Sequence, residues 1–352
     1  MSLGALKAQL ATWHEPAYRG RQILDWRNKG VLAPASMLNL PAALRDRLQT
    51  ELDCQPLTLV QRLQSVDGTR KYLFALHSGK TIETVFIPEP ERGTVCVSSQ
   101  VGCVLDCPFC HTGTQPFEAN LTAGEIVAQV LAVKDDLRHE AIPGYADADV
   151  THVVYMGMGE PLANEAGVHG SLAVLMDQDE GLGLSRRRIT VSTSGLIPQI
   201  ERLGTDFPVN LAVSLHAADD ALRDELVPIN RKYPLARLRR CLDDYAVGRQ
   251  RHITLEYVML DGVNDRDADL AALARFVRPE RERVNLISFN PYPGNPYHAS
   301  PRERMDAFAQ GLIRQGIRAT VRRSRGQDVM AACGQLKSAS EAVLQEGRQQ
   351  HA

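Results

Sequence analysis

Three cysteines lie within eight residues in the stretch QVGCVLDCPFCHTGTQ, namely Cys103, Cys107 and Cys110. Thiolates spaced this closely can surround one soft metal centre, and they select zinc, copper(I) or iron–sulfur. A structural zinc ion needs four protein ligands, and His111 or Cys96 could supply the fourth. A four-iron cluster with three protein ligands would instead leave one iron open to a cofactor. The x3-x2 spacing differs from the x2-x2 run of ferredoxins, whose clusters are fully ligated.

Other polar residues follow the ends of predicted strands. The stretch GMGEP, Gly157–Pro161, comes after the predicted strand Thr151–Met156. Glycines there let a ligand approach the backbone, and a carboxylate beside them can bind an ammonium group. Such residues also occur in ordinary turns and as caps of helices and strands. They would form a binding site only if residues from several strand ends come together in one pocket. The candidates of this kind are Gly159, Glu160, Ser192, Ser214, Leu215, His216 and Asn290.

Two further cysteines stand apart from the cluster. Cys96 precedes Cys103 by seven residues, and Cys333 lies near the C-terminus in AACGQLK. A free buried thiol often packs as a small apolar side chain, which is the simplest interpretation of each. The seven cysteines of the chain are an odd number, so they cannot all pair internally. In a reducing compartment, closely spaced cysteines indicate metal binding or catalysis before disulfides.

Alternating strand-like and helix-like segments must position these residues. Predicted strands cover 82–87, 95–98, 151–156, 189–192, 209–215, 253–259 and 284–288, with predicted helices at 123–140, 167–177, 218–226, 234–245 and 266–277. This alternation predicts parallel strands joined by crossover helices. The number of units favours an α/β fold with a partial or full β/α barrel over an open doubly wound sheet. In either fold, ligands bind at the carboxyl ends of the strands.

The pattern of segments along the whole sequence predicts that the chain has three parts. Residues 1–75 form a small N-terminal α(+β) unit, with three helical patterns and a hairpin turn at Asp67-Gly68. Residues 76–325 form the barrel. Residues 326–352 form a C-terminal segment, in which a loop carries Cys333 and a polar helix covers Ser338–Gln349. Arginines and tryptophans in the first unit fit either an RNA-holding module or a small packing domain.

Composition excludes several classes of protein. Of the 352 residues 44% are hydrophobic and 23% are charged, which is typical of globular proteins and not of disordered or fibrous ones. No apolar run is long enough for a membrane span, and the N-terminus lacks a secretion signal, so we expect a cytoplasmic protein. The formal charge of −2 does not indicate nucleic-acid binding. Basic clusters at 186–188, 237–240 and 322–325 would form a phosphate-binding surface only if they converge.

The cysteine motif, with Phe109 before its last cysteine, resembles the radical S-adenosylmethionine (SAM) superfamily. The combination of CVSSQVGC, the cluster spacing and the terminal AACGQL resembles the RlmN/Cfr family of RNA adenine methyltransferases. Other family-like stretches are CHTGTQ, NLTAGEIV, MGMGEPL, RRRITVSTSG, SLHA, LVPINRKYP, EYVMLDGVND and FNPYPG. The similarity runs from about Ile82 to Lys337.

The resemblance implies a radical SAM barrel with a 4Fe–4S cluster on the three clustered cysteines and two SAM molecules per turnover. The strand-end residues above would bind SAM. Cys333 would carry the methyl group as S-methylcysteine and become linked to the RNA, and Cys96 would release the product by forming a disulfide with it. Glu83 matches the proton acceptor of the family, although Cys96 could itself take the proton. Cys54 and Cys241 match no family position and are predicted to be structural.

The implied reaction is methylation of adenosine at C2 in 23S rRNA and, for RlmN-type members, in tRNA next to the anticodon. Alternatives within the family are C8 methylation, as in Cfr-like members, or another RNA target. An alternative from a different class is a zinc-bearing RNA-binding protein without catalysis. The enzyme would act as a monomer and take electrons from a reductase or flavodoxin-type donor.

Overall fold

A computed structural model of the protein describes residues 3–52, 56–245 and 252–337. Cys54 and the predicted helix Ser338–Gln349 lie outside these ranges. The helices are α1 Leu3–Thr12, α2 Tyr18–Asn28, α3 Ala42–Glu51, α4 Ala123–His139, α5 Glu165–Met176, α6 Ile197–Asp206, α7 Asp220–Leu226, α8 Leu235–Asp244, α9 Asp267–Phe276 and α10 Arg302–Arg314.

The strands are β1 Leu57–Gln64, β2 Arg70–Leu76, β3 Thr81–Glu89, β4 Arg92–Cys96, β5 Gln100–Val101, β6 Ala119–Asn120, β7 His152–Tyr155, β8 Ile189–Thr193, β9 Asn210–Ser214, β10 Ile253–Met259, β11 Glu282–Ser288 and β12 Ala319–Arg322. Short 3-10 helices lie in several of the connections. Within the described ranges, every helix is too short or too polar to cross a lipid bilayer.

One sheet organises the molecule. Its described strands follow the order β1-β2-β3-β4-β7-β8-β9-β10-β11-β12. The strands from β4 to β12 in this order run parallel, whereas β1 to β4 form an antiparallel meander on one side. Helices connect most of the parallel strands, which confirms the predicted β/α barrel architecture. The carboxyl ends of the parallel strands therefore meet at one rim, where ligands are expected.

Local sequence explains the main elements. Every residue of β10, ITLEYVM, is buried, as expected for a central parallel strand covered on both faces. Helix α4 begins with a capping box. The Glu125 amide donates to Thr122 Oγ1, and the Thr122 amide donates to the Glu125 carboxylate. Helix α8 buries Leu235, Leu238 and Cys241 along one face, so the structure places Cys241 in the hydrophobic core.

Helices α6 and α10 and strand β12 were absent from the sequence prediction. Helix α6 carries Pro198 in its first turn, a position that helices tolerate although proline elsewhere breaks them. Pro301 is the N-cap residue of α10 and lies just before its first turn. Strand β12 has four residues and is followed directly by Arg323-Ser324-Arg325. A segment this short, ending in a charged run, shows no pattern typical of a buried strand.

The N-terminal helices enclose a core of their own. Leu6, Leu10 and Trp13 pack with Leu44 and Leu48 in a cluster separate from the barrel core. The hairpin β1–β2, in contrast, pairs with β3 and extends the barrel sheet. The division of the chain at residue 75 stays a prediction.

Asp136 on α4 joins the antiparallel meander to the barrel. Its Oδ2 accepts hydrogen bonds from Arg70 Nη1 and Tyr72 Oη, each at 2.7 Å. Its Oδ1 accepts from Arg62 Nη1 at 2.6 Å. The Arg70 side chain is fully buried, so its charge depends on this carboxylate and on nearby backbone carbonyls.

We predict that Asp136→Ala lowers the free energy of unfolding by about 3 kcal/mol, because it removes the nearer anion of the buried Arg70 guanidinium and leaves only the more exposed Glu140 carboxylate at 3.5 Å. Urea denaturation followed by circular dichroism measures this change. Asp306→Ala removes an exposed ion pair with Arg302 and is expected to cost less than about 1 kcal/mol. Equal losses in the two variants would contradict the role given to Asp136.

Candidate active site

The three clustered cysteines lie on the loop between β5 and β6, which we call the cluster loop. Cys103, Cys107 and Cys110 line one cavity of about 170 Å³ at the carboxyl ends of the parallel strands. The loop is tightly folded: Gly102 has a φ of +72°, and a Cβ there would lie 2.0 Å from the Pro116 carbonyl oxygen. The sequence prediction that these thiols stand at the barrel rim agrees with this geometry.

This cavity fits a multi-iron cluster better than a single ion. Among the described residues, no three His, Cys, Asp or Glu side chains converge as ligands of one ion. Cys96 and His111, the proposed fourth ligands of zinc, are not among the described residues lining the cavity. Burial raises the pKa of Cys103 to about 12 and also raises the pKa of Cys107 well above its usual range. Iron ions would supply the positive charge that stabilises such buried thiolates.

The GMGEP turn lines the same cavity. Gly159 has a φ of +94°, and a Cβ there would come within 2.5 Å of the Gln100 side chain, so only glycine fits. The buried carboxylate of Glu160 accepts hydrogen bonds from the Ser194 amide at 2.8 Å and the Leu162 amide at 3.1 Å. These bonds fix the orientation of the carboxylate. It can bind the ammonium group of an amino-acid ligand such as SAM.

The other strand ends complete this cavity. Ser192, Ser214, His216 and Asn290 all line it. The Nδ1 of His216 accepts a hydrogen bond from the Val258 amide at 3.0 Å, and burial lowers the pKa of His216 to about 3. The ring is therefore neutral, with its proton on Nε2, where it can act as a donor.

The structure places Leu215 outside the cavity and adds Arg223 to the site. Among the described residues, Leu215 does not line the cavity, and its side chain is buried in the core. Arg223, which sequence analysis missed, is fully buried and donates to the carbonyl oxygens of Ser194 and Ser214 at 2.7 and 3.2 Å. It holds two strand ends in place. Because it lies on the short charged helix α7, the sequence pattern suggests only an exposed position.

The two distant cysteines, Cys96 and Cys333, line the same cavity. Cys96 and Cys333 line a second cavity of about 560 Å³, which we call the inner cavity. Cys333 also lines the first cavity, which we call the cofactor cavity. Burial, and secondarily the nearby Cys333 thiol, raises the pKa of Cys96 to about 12, whereas the Arg322 cation acts in the opposite direction. Both cysteines are free thiols in this structure.

The loop that carries Cys333 is attached directly to the cysteine-cluster loop. The His111 amide donates to the Gly334 carbonyl oxygen at 2.8 Å, and Thr112 Oγ1 donates to the Leu336 carbonyl oxygen at 2.7 Å. His111 and Thr112 immediately follow the last cluster cysteine. Folding of the cluster loop therefore also fixes the position of residues 326–337, which we call the tail.

Glu83 contacts the tail and not the cavities. Its Oε1 pairs with Lys71 Nζ at 2.9 Å, and its Oε2 accepts from the Lys337 amide at 2.9 Å. Lys71 Nζ also donates to the Met330 carbonyl oxygen at 3.4 Å. Among the described residues that line the two cavities, Glu83 is absent. Burial raises the pKa of this carboxyl, and Lys71 partly offsets the rise. The pair holds both ends of the Cys333 loop.

Comparison with known proteins agrees with this geometry. Residues 97–274 match the model of the radical SAM superfamily. A protein of Paracoccus denitrificans named dual-specificity RNA methyltransferase RlmN is 49% identical over 325 residues, which cover 91% of this chain and 83% of that protein. Its namesake from Parvibaculum lavamentivorans is 50% identical over 320 residues, covering 88% of this chain and 80% of that protein.

The chain belongs to the RlmN family of the radical SAM superfamily.

A crystal structure of a radical SAM methyltransferase from Sphaerobacter thermophilus superposes with a TM-score of 0.88 at 46% identity, covering 96% of this chain and 97% of that one. Radical SAM enzymes use a 4Fe–4S cluster and SAM as cofactors. In this chain Cys103, Cys107 and Cys110 would hold the cluster, and the cofactor cavity beside them would hold SAM.

We predict that Lys71→Met loosens the tail, because it removes the cation that holds the Glu83 carboxylate in place. Hydrogen–deuterium exchange of the peptide covering 330–337 should become faster by at least about tenfold. Lys80→Met, which removes the more exposed pair between Lys80 and Glu118, should leave this peptide unchanged. Unchanged exchange in Lys71→Met would contradict the contact between the pair and the tail.

Proposed function

We propose that this chain methylates C2 of adenosine in RNA, with Cys333 as the methyl carrier. One observation carries the proposal: Cys333 lies where the cofactor cavity and the inner cavity meet. A sulfur at this junction can receive a methyl group on one side and present it on the other. The name of the relatives, dual-specificity RNA methyltransferase, supports RNA as the substrate.

The target carbon explains why a carrier is needed. C2 of adenine is an electrophilic, amidine-like carbon, so it cannot attack the methyl group of SAM as a nucleophile. When bound, the cluster and SAM supply a 5′-deoxyadenosyl radical, which can activate an otherwise inert methyl group. The protein must therefore hold that methyl group and the adenine side by side, and the Cys333 thiol is the nucleophile able to accept it first.

The two thiols have separate roles in this proposal. Cys333 would lose its proton and take the methyl group of one SAM, so that the bond between this methyl group and the SAM sulfur breaks and S-adenosylhomocysteine leaves. Once that methyl group has lost one hydrogen atom to the radical and its carbon is bonded to adenine C2, the RNA is attached to the Cys333 sulfur. One electron would return to the bound cluster as the C2 proton leaves. The Cys96 sulfur then attacks the Cys333 sulfur: a disulfide forms, the bond from the Cys333 sulfur to the carbon breaks, and the proton held by Cys96 passes to the released carbon, which completes the methyl group. A reductant must open the disulfide before the next turnover.

The adenine C2 proton must also be removed. We assign this step to Cys96, which lines the inner cavity. Burial raises the pKa of Cys96 to about 12, so the thiol must first lose its own proton to solvent, and the Arg322 cation, which lowers this pKa, stabilises the thiolate that then takes the C2 proton. Both carboxylate oxygens of Glu83 are engaged, one with Lys71 and the other with the Lys337 amide. In this proposal Glu83 positions the tail instead of accepting the proton.

Positive charge in the inner cavity supports RNA binding there. Five arginines line the cavity against two glutamates: Arg92, Arg283, Arg322, Arg323, Arg325, Glu89 and Glu256. The excess of cations favours a phosphate-bearing ligand. Of the three basic clusters, only 322–325 is among the described residues of this cavity, so the clusters do not converge with one another as the sequence analysis required. The arginines that accompany 322–325 come instead from strands β4 and β11. The target nucleotide would leave its stack to enter this cavity.

The remaining parts of the proposal concern the setting of the reaction. We propose 23S rRNA and the anticodon loop of tRNA as substrates and a reductase or flavodoxin-type protein as electron donor. We propose that the enzyme acts as a cytoplasmic monomer, since the described residues of one chain supply both cavities.

Nucleoside mass spectrometry of rRNA and tRNA from a strain lacking the gene tests this function. We expect 2-methyladenosine to disappear from both RNA classes. The wild-type chain and Cys241→Ala should restore it, because Cys241 lies in the core away from both cavities, and Cys333→Ala should not. Unchanged 2-methyladenosine would refute the proposal, and loss of 8-methyladenosine instead would establish the alternative position.

A further inference from the structure

A buried carboxylate lies where the two cavities meet. Glu256, in the middle of β10, is 5% exposed and lines both the cofactor cavity and the inner cavity. Its Oε1 accepts a hydrogen bond from Asn285 Nδ2 at 3.1 Å. Its Oε2 is buried and has no hydrogen-bond partner among the described residues. A buried acceptor without a donor is unfavourable, so this oxygen is suited to a donor that arrives with a ligand.

The surroundings of Glu256 resemble a pocket for a planar base. Met156 and Ile287 line both cavities and supply apolar surface beside the carboxylate. Arg322 lines the same two cavities, and its positive charge opposes the rise in the pKa of Glu256 that burial causes. Asn285 fixes one carboxylate oxygen, and the other oxygen is left without a donor among the described residues. The pocket therefore offers one oriented acceptor within an otherwise apolar and cationic wall.

We propose that Glu256 is a specificity-determining residue that recognises the exocyclic amino group of the target adenine through Oε2. The inference rests on the proposed function and names how the same site selects its base. An adenine amino group can donate to this oxygen. A 6-oxopurine such as hypoxanthine or guanine would place an oxygen there instead, and two buried acceptors facing each other repel.

The carboxylate could alternatively bind the hydroxyl groups of SAM, since it also borders the cofactor cavity. The position of Asn285 favours the base. Asn285 lines the inner cavity, together with Cys96, but is not among the described residues of the cofactor cavity. The residue that orients Glu256 thus stands on the side where the RNA base would bind.

Two RNA hairpins that differ in one nucleotide test the inference. One carries adenosine at the target position and the other carries inosine. We expect the wild-type enzyme to methylate the adenosine hairpin at least about tenfold faster, measured as methylated nucleoside by mass spectrometry. Glu256→Gln should bring the ratio towards one, because its amide can donate to the inosine oxygen or accept from the adenine amino group.

The mass of the Cys333 peptide, measured after incubation with SAM but without RNA, provides a second readout. Glu256→Gln should carry the Cys333 methyl group to the same extent as wild type, since the base is not yet bound. Glu282→Gln is the matched control: this carboxylate on β11 is also buried, but it pairs with Arg239. The control should keep the wild-type preference for adenosine.

The outcomes separate the two proposals. An unchanged preference in Glu256→Gln, with Cys333 still methylated, overturns the inference alone. Loss of the Cys333 methyl group in Glu256→Gln but not in Glu282→Gln assigns the carboxylate to SAM and also overturns it. A wild-type enzyme that carries no methyl group on Cys333 and modifies neither hairpin overturns the proposed function, and the inference with it.

Discussion

The architecture depends on placing the sulfur atom of Cys333 at the border of two cavities. The cofactor cavity is formed by the cluster loop and the strand ends, and the inner cavity by the interior of the barrel. Cys333 borders both, although it belongs to a segment that follows the last strand. A thiol fixed on a barrel strand would face one side of that strand. A loop that enters from outside the sheet can place its sulfur between the two cavities.

Such a loop must be held without being part of the sheet. Backbone hydrogen bonds from His111 and the hydroxyl of Thr112 attach it to the cluster loop. The pair of Lys71 and Glu83 attaches its two ends to the antiparallel meander. The meander therefore has a function beyond extending the sheet, since it carries the groups that keep the tail over the barrel. Local contacts of this kind can also open without unfolding the core.

Much of this arrangement could be predicted from the sequence because its signals are local. Alternating segments predicted the barrel, and cysteine spacing predicted the cluster loop. The side chain of Glu256 could not be predicted, since every residue of its strand is buried and no alternation shows which face it takes. Arg322 belongs to a charged run that suggests an exposed surface. The contact of Glu83 with Lys337 joins residues 254 positions apart, which no local pattern reveals.

The most direct test of the central claim is mass spectrometry of Cys96→Ala isolated from cells that supply RNA and the cluster. If the Cys333 sulfur carries the one-carbon unit to the base and Cys96 releases it, this variant should retain RNA covalently attached at Cys333. After nuclease digestion, the Cys333 peptide should carry the added mass of a methylene-linked adenine nucleotide. A Cys333 peptide free of RNA, with methylated adenosine still released, would contradict the account.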